Sequence, residues 1–419
     1  MLNRREWMFC AASGVCAPLL GQTAATKDAP KDDDAPVALG PDGVWPSQPP
    51  AGCPFPPSKS LRGIAFTGRQ ISYENADTWY PSWAADGNLY SPWTDGNVEG
   101  VNSSSGGAKA TTGQAKIVGD SPLALKVTDV STFASSPEPY GGRYPCGSLV
   151  YNGVWYYGTY CLIETPKLGL NWDVLGPLVG FRTSTDFGKT WTETPHTPAD
   201  PLFPEPEHVG GPVKLGAPHF ADFGRNMEHS PDAYAYLVGH GAVASDPKPR
   251  PANLSWITGD QIYLARVRPS LKTMNDRASW AYFGGHSKSG QAVWTRDFAK
   301  IRSLFEWNNR TGCVTITYNA PLKKYLMCVT DGGTTISRFN TYILESDAIT
   351  GPWRLVTFMR HFGEQGYFVN FPSKFISPDG RTAWLLYAAN FTNGPKGSNY
   401  TSNPPGSRYG MCLQEVKLV

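Results

Sequence analysis

Charge is scarce in this sequence and nearly cancels: 17% of its 419 residues are Asp, Glu, Lys or Arg, and the formal net charge is +2. That balance excludes the strong basic excess with which proteins hold nucleic acid or an anionic membrane surface, and it leaves neutral polymers as partners. Past Leu20 no apolar run approaches the roughly 18 to 20 residues of a spanning helix, so no membrane insertion is expected. Long amphipathic helical patterns are scarce as well. No close Cys-x-x-Cys or Cys/His pairing announces zinc. No Gly-x-x-x-x-Gly-Lys-Ser/Thr loop announces a nucleotide, and the polar run Ser103 to Gly107 lacks the helix a phosphate loop needs.

Turn formers and aromatic strand formers fill the space. Gly (44), Pro (37) and the 34 Trp and Tyr residues describe a β-rich chain with many turns, long enough for one elaborate all-β domain. Its grammar is clearest from Asp77 to Gly96, an extended piece, a tight Asp86-Gly87 turn and a second strand rich in aromatics. Four further stretches repeat it: Tyr144 to Cys161 turning at Asn152-Gly153, Pro218 to His240 over a longer polar loop, Gly312 to Asp331 turning at Asn319-Ala320-Pro321-Leu322, and Asn370 to Asn390 turning at Ser377-Pro378-Asp379-Gly380. Outer strands are expected at Leu123–Val127, Gly180–Ser184, Gln261–Val267 and Tyr342–Ser346. Five copies with about four strands each predict a five-bladed β-propeller, its last blade completed by the N-terminal piece Leu61 to Tyr73 beside the final strand.

The flanks are of another kind. Arg4-Arg5, the apolar run Trp7 to Leu20 and the small residues after it read as an export signal over residues 1–25, of twin-arginine wording, so the protein is expected to be periplasmic or secreted. Val15 before Cys16 is not the small residue of a lipoprotein signal. Residues 26–60, rich in Pro, Gly and Asp, read as a tether, and 61–419 as the propeller domain.

Cysteine spacing follows the repeat. Cys146 and Cys161 lie fifteen positions apart, as do Cys313 and Cys328, and each pair has its midpoint on a predicted turn. Facing positions across a hairpin predict two cross-strand disulfides in an exported protein, with Cys53 to Cys412 as a closing staple; the alternative is buried free thiols.

In a propeller, the start of each innermost strand and the end of the second ring one central opening. That rule collects Asp77, Trp79, Tyr80 and Asp95 from the first copy, Arg143 and Tyr144 from the second, and Lys214, His219 and His240 from the third. Arg310 and Asp331 follow from the fourth, and Glu364, Asn370 and Asn390 from the fifth. A polar funnel with aromatic walls suits a sugar, whose hydroxyls need donors and acceptors and whose ring faces stack on aromatics. Each member also has a plainer reading: Asp77 as a turn former, His219 and His240 as satisfied core residues, and the arginines as ion pairs between blades. Asp222, Asp232 and Asp379 fall at the opposite end.

Two outer pieces carry familiar wording. Ser184-Thr185-Asp186-Phe187-Gly188-Lys189-Thr190-Trp191 resembles the Asp-box hairpin of sialidases, and Glu345 to Trp353 resembles an outer hairpin of five-bladed glycosidases; both imply packing rather than catalysis. The stretch Asp77 to Gly96, with Cys146 to Cys161, Gly216-Ala217-Pro218-His219-Phe220, Ser255-Trp256-Ile257-Thr258-Gly259-Asp260 and Tyr318 to Tyr325, resembles an uncharacterised family of exported proteins. That family is similar to endo-D-arabinanase-type glycoside hydrolases and, more distantly, to five-bladed arabinanases and fructosidases. The likeness covers Leu61 to Val419.

It implies hydrolysis of a polysaccharide, arabinan-like furanosides first, by a pair of carboxyl groups. Asp77 stands where five-bladed glycosidases place a carboxylate and is the first choice for base or nucleophile; Asp95, then Asp331 and Glu364, are candidates for the acid. Tyr144 and His219 stand where arabinanases carry Asp and Glu, which opens a second reading, a polysaccharide lyase on a uronic-acid glycan. There Arg143 or Arg310 neutralises the carboxylate and Tyr144 or His219 takes the proton. A glycan-binding propeller without catalysis is the third. Trp79, Tyr80, Trp93, Arg143, His240, Arg310, Asp331, Glu364 and Asn370 are the substrate-binding candidates. No cofactor is required; calcium, with its preference for hard oxygen ligands, is the cation to expect if one binds, and a monomer is expected.

Overall fold

Short pieces of β-branched and aromatic residues, each ended by Gly, Asn, Asp or Pro, cannot bury themselves singly and are stable only when paired and stacked. In the computed structural model, which describes residues 37–134, 142–163, 174–204, 215–242, 255–333, 337–389 and 403–419, they pair into five sheets arranged as a ring, a five-bladed β-propeller. Strand β1 (Ile64–Tyr73) comes first in the chain and waits for the last blade. Blade 1 holds β2 (Asn75–Asp77), β3 (Ser82–Trp83), β4 (Leu89–Val98), β5 (Val101–Ser103), β6 (Thr111–Val118) and β7 (Lys126–Ala134), with β2 and β3 innermost against β4. Blade 2 holds β8 (Gly142–Tyr151), β9 (Val154–Ile163) and β10 (Val174–Ser184), and a Thr183–Thr192 bridge starts a fourth row.

Blade 3 is the largest. It runs β11 (Gly216–Phe220), β12 (Ala235–Gly241) and β13 (Gln261–Val267), whose outer edge is shared by β14 (Ala281–His286) with β15 (Ala292–Thr295) and by β16 (Ser303–Glu306). Blade 4 is β17 (Gly312–Asn319), β18 (Lys324–Asp331), β19 (Asn340–Ser346) and β20 (Arg354–Met359). Blade 5 is β21 (Tyr367–Asn370), β22 (Thr382–Ala388), β23 (Met411–Leu418) and then β1, so the N-terminal strand does complete the last blade.

The ring is stitched at its inner strands. Val150 N–H donates to Ser82 Oγ (2.9 Å), Asp222 bridges Thr317, Thr315 and Thr317 hydroxyls donate to the Val369 and Phe371 carbonyls (2.7 and 2.8 Å), and Asn370 Nδ2 donates to the Trp79 carbonyl (3.0 Å). The Asp-box packs as expected: Asp186 accepts from Thr190 N–H and hydroxyl (2.9 and 2.6 Å), and the Trp191 ring lies 5.2 Å from Trp155.

Three expectations are corrected. Residues 44–60 are no loose tether: Trp45 is buried against Phe66 and Phe362, and Pro57 pairs in parallel with Leu355 on the edge of blade 4. The outer pair of blade 1 is β6 with β7, and Pro122–Ala124 forms a 3-10 turn where a strand was expected.

The disulfides are absent, and Cys53, Cys146, Cys161, Cys313, Cys328 and Cys412 are free thiols. The reason is register: the turn-side pairs Tyr151–Val154 and Asn319–Lys324 set hairpin axes one residue away from the cysteine midpoints, and a bulge recurs in every inner hairpin besides. Register shifts fall between Asn75 and Asp77, Pro145 and Ser148, Gly216 and His219, Gly312 and Thr315, and Tyr367 and Asn370. Arg143 therefore opposes Cys161 and Thr315 opposes Cys328. Cys313 and Cys328 even join different core clusters, as do Cys53 and Cys412. The export-signal stretch, Lys214 and Asn390 lie outside the described residues.

Candidate active site

The same bulges aim side chains at the axis. Ala217, Cys313 and Phe368 sit at φ +41°, +39° and +56°, and Thr78 at +66°, conformations that turn the chain just before or after a candidate site residue.

Asp77 ends β2, opposite Thr94, so Asp95 follows one step along the neighbouring strand. Both carboxylates are buried and both are surrounded by hydroxyls. Asp77 Oδ1 accepts from Thr78 Oγ1 (2.8 Å), and Oδ2 accepts from the Tyr367 hydroxyl (3.0 Å) with the Tyr409 hydroxyl 3.3 Å away. Asp95 Oδ1 accepts from Ser105 N–H (2.8 Å), and Oδ2 accepts from Ser105 Oγ (2.7 Å) and the Tyr144 hydroxyl (2.6 Å). Tyr409 also reaches the Asp95 carbonyl, so one phenol spans the two acids. Donors from blades 1, 2 and 5 thus hold two carboxylates of a single hairpin. Charge-assisted bonds of this length fix rotamers as well as charge.

A second group lies along the axis. Tyr80 stacks on His219 with ring centroids 3.2 Å apart, and Phe368 meets Tyr80 edge-on at 5.2 Å. The Tyr80 hydroxyl, His219 Nδ1 and His240 Nδ1 are buried without a hydrogen-bond partner among the described residues. Burial, then the Cys313 and Tyr160 groups and Asp77, pushes the Tyr80 phenol well up, so it stays protonated. Burial pulls His219 well down, with His240 adding to it, and pulls His240 to about 4 despite its bond to Ser255. Both imidazoles are therefore neutral at pH 7. His240 Nε2–H donates to the Ser255 carbonyl (2.9 Å), which fixes its tautomer, since a carbonyl only accepts. Tyr80, His219, Asn370, Thr315 and Thr317 line a cavity of about 30 Å³, room for one or two waters.

The remaining candidates are dispersed. Arg310 pairs with Asp331 (2.7 Å) and lies over the Trp307 ring at 5.4 Å; burial raises Asp331 and the guanidinium opposes it. Glu364 pairs with Arg338 (2.7 Å). Arg143 Nε donates to Thr159 Oγ1 (2.9 Å), while its backbone N–H holds the Ser105 carbonyl (2.9 Å), which braces the residue that clamps Asp95. Trp79 and Trp93 are not walls of the opening: both are fully buried in the core between blades 1 and 5, their indoles donating to the Ala76 carbonyl (2.8 Å) and Asp129 (3.1 Å). Asp222 and Asp232 stand at the opposite end, Asp222 accepting from Ser373 N–H and Oγ at 2.7 Å each.

Tyr367, Tyr409 and Ser105 are absent from the sequence reading. Tyr367 starts β21, so the strand-start rule would have found it had the fifth copy been begun three residues earlier. Ser105 lay in a polar run that signalled nothing else, and Tyr409 approaches from the loop before β23. Among the described residues, no group of three or more His, Cys, Asp or Glu is arranged to hold a metal ion.

No family model and no functionally curated protein matches the sequence. Solved structures of similar fold include the β-xylosidase RS223, 13% identical with a TM-score of 0.45 over 83% of this chain and 94% of that one. The α-L-arabinofuranosidase of Podospora anserina, solved with cellotriose, is 13% identical with a TM-score of 0.43 over 90% and 98%. The α-L-arabinanase of Penicillium chrysogenum, solved with arabinobiose, is 10% identical with a TM-score of 0.42 over 87% and 96%. At these values the roles of Asp77 and its neighbours rest on this chain's own geometry.

Proposed function

We propose that this chain is an exported glycoside hydrolase acting on a polysaccharide, with arabinan-like furanosides as its preferred substrates. The observation that carries the reading is the carboxylate pair: Asp77 and Asp95, on neighbouring strands of one inner hairpin, each oriented by tyrosine hydroxyls from other blades. Glycoside hydrolysis needs two carboxyl groups, one to protonate the leaving oxygen and one to attack the anomeric carbon or activate water. Asp77 is the base or nucleophile. Asp95 is the acid, oriented by the Tyr144 hydroxyl that donates to its Oδ2 at 2.6 Å.

Elimination is less well supported by the same atoms. A lyase needs a cation available to the uronate, whereas Arg310 is engaged by Asp331 and the Arg143 guanidinium by Thr159. The deciding experiment incubates the protein with neutral and uronic-acid glycans and follows reducing ends together with ultraviolet absorbance. Reducing ends without absorbance are expected. Absorbance from an unsaturated uronide would replace hydrolysis by elimination, and binding with neither product would leave a glycan-binding propeller.

A further inference from the structure

Charge is not spread evenly. Residues 266–302 contain eight basic residues (Arg266, Arg268, Lys272, Arg277, Lys288, Arg296, Lys300, Arg302) against two acidic ones (Asp276, Asp297), a local net of +6 in a chain of +2. Everything else therefore sums to −4. This segment builds the β14–β15 hairpin that makes blade 3 the largest.

Within it stands a ladder. The Arg268 guanidinium lies 4.6 Å from the Tyr234 ring, Arg266 lies 4.4 Å from the same ring, and Arg266 lies 3.9 Å from the Trp294 ring. The order is therefore Arg268, Tyr234, Arg266, Trp294, alternating cation and ring. Its base is anchored: Trp294 meets Tyr236 at 5.7 Å and Phe283 at 6.1 Å, and Arg266 pairs with Asp232 at 3.0 Å. Its outer rung is not. Arg268 is exposed and has no acidic partner among the described residues, while Tyr234 and Trp294 are half-buried.

Asp232 already engages Arg266, so the exposed Arg268 guanidinium is the rung whose N–H donors are left for a carboxylate. Tyr234 and Asp232 lie in the loop between β11 and β12, at the end of the strands opposite to Asp77 and Asp95.

We propose that this ladder is a second glycan-binding site, remote from the carboxylate pair, which holds a uronate-bearing polysaccharide by its carboxylates. It goes beyond the hydrolase reading and stands without it, since no group of the ladder takes part in bond cleavage.

The test is affinity electrophoresis of the full chain through gels containing polygalacturonate or neutral dextran, with Arg268→Ala and Arg268→Lys beside the wild type. Retardation by polygalacturonate and not by dextran is expected, weakening between about 50 and 300 mM salt as screening shortens the reach of the charges. Arg268→Ala should lose about tenfold in affinity at an unchanged melting temperature, and Arg268→Lys, which keeps the charge and loses the planar fork, should fall between. No retardation of the wild type overturns the proposal, as does equal retardation of all three proteins. Equal binding of the wild type to duplex DNA or phosphatidylglycerol vesicles overturns it too, by reducing the ladder to charge alone.

Discussion

Acidification should unfold this protein through the two histidines on its axis. His240 is buried, donates to the Ser255 carbonyl, has no partner for Nδ1 among the described residues and is held at about 4; His219 is depressed in the same direction. In the unfolded chain both titrate near 6.5. A native group that refuses a proton which the unfolded chain accepts contributes stability that is complete above about pH 6.5 and is lost as pH falls toward about 4. At about 1.4 kcal/mol per pH unit, His240 alone accounts for on the order of 3 kcal/mol across that window, and about 2 kcal/mol of it is gone by pH 5. That is a large part of a typical stability of 5–15 kcal/mol. Urea denaturation at about pH 7.5 and pH 5 should be compared between the wild type and His240→Gln, which keeps a donor toward Ser255 but does not titrate. Carboxylates common to both proteins cancel in the difference. The wild type should lose about 2 kcal/mol more than the variant between the two conditions. Equal losses would refute the assignment of a buried neutral imidazole.

Three further outcomes follow from particular contacts. Tyr144→Phe removes the 2.6 Å donor to Asp95 and should lower kcat/KM by about 10- to 100-fold at a nearly unchanged Tm; a change under twofold contradicts a role in orienting that acid. Gly113 lies under the Trp93 ring, where an added Cβ would stand 2.2 Å from the indole, so Gly113→Ala should cost about 3 kcal/mol by calorimetry, and an unchanged Tm contradicts the packing. Burial pushes Cys412 to about 11 and raises Cys146, Cys313 and Cys328 as well, so a thiol reagent should label these four only after denaturation; rapid native labelling, or disulfides found under non-reducing conditions, contradicts it.

The inner hairpins were legible because their turns are written in residues that favour turn conformations. Asp86-Gly87, Asn152-Gly153 and Asp379-Gly380 each stand between aromatic or β-branched runs, and with the longer turns of the third and fourth copies they give the five blades. Strand β6 escaped, since Gly113, Gln114 and Lys116 dilute its pattern. The recurring bulge was invisible for a different reason. Ala217, Cys313 and Phe368 take positive φ, yet none is the Gly or Asn that would announce it, so the strain is borne by tertiary packing. The predicted cross-strand disulfides failed on register instead, since both cysteine midpoints stand one residue from the axis set by the turn-side pairs.

At the site, Asp77, Asp95 and Tyr144 came from a rule about strand ends, and the structure joins them through hydrogen bonds. Trp79 came from the same rule and, like the candidate Trp93, lies in the core, because composition does not say which side chains turn inward. Tyr409 belongs to no inner hairpin at all. Its contact with both acids is made by the ring closing on itself, which no local pattern records.

The most direct test of the central claim is release of reducing ends from an arabinan-like furanoside by wild type, Asp77→Asn and Asp95→Asn, with melting temperature and glycan affinity measured on the same preparations. The account predicts that both substitutions lower kcat by at least about a thousandfold while affinity and folding persist. Activity that survives Asp77→Asn would contradict it.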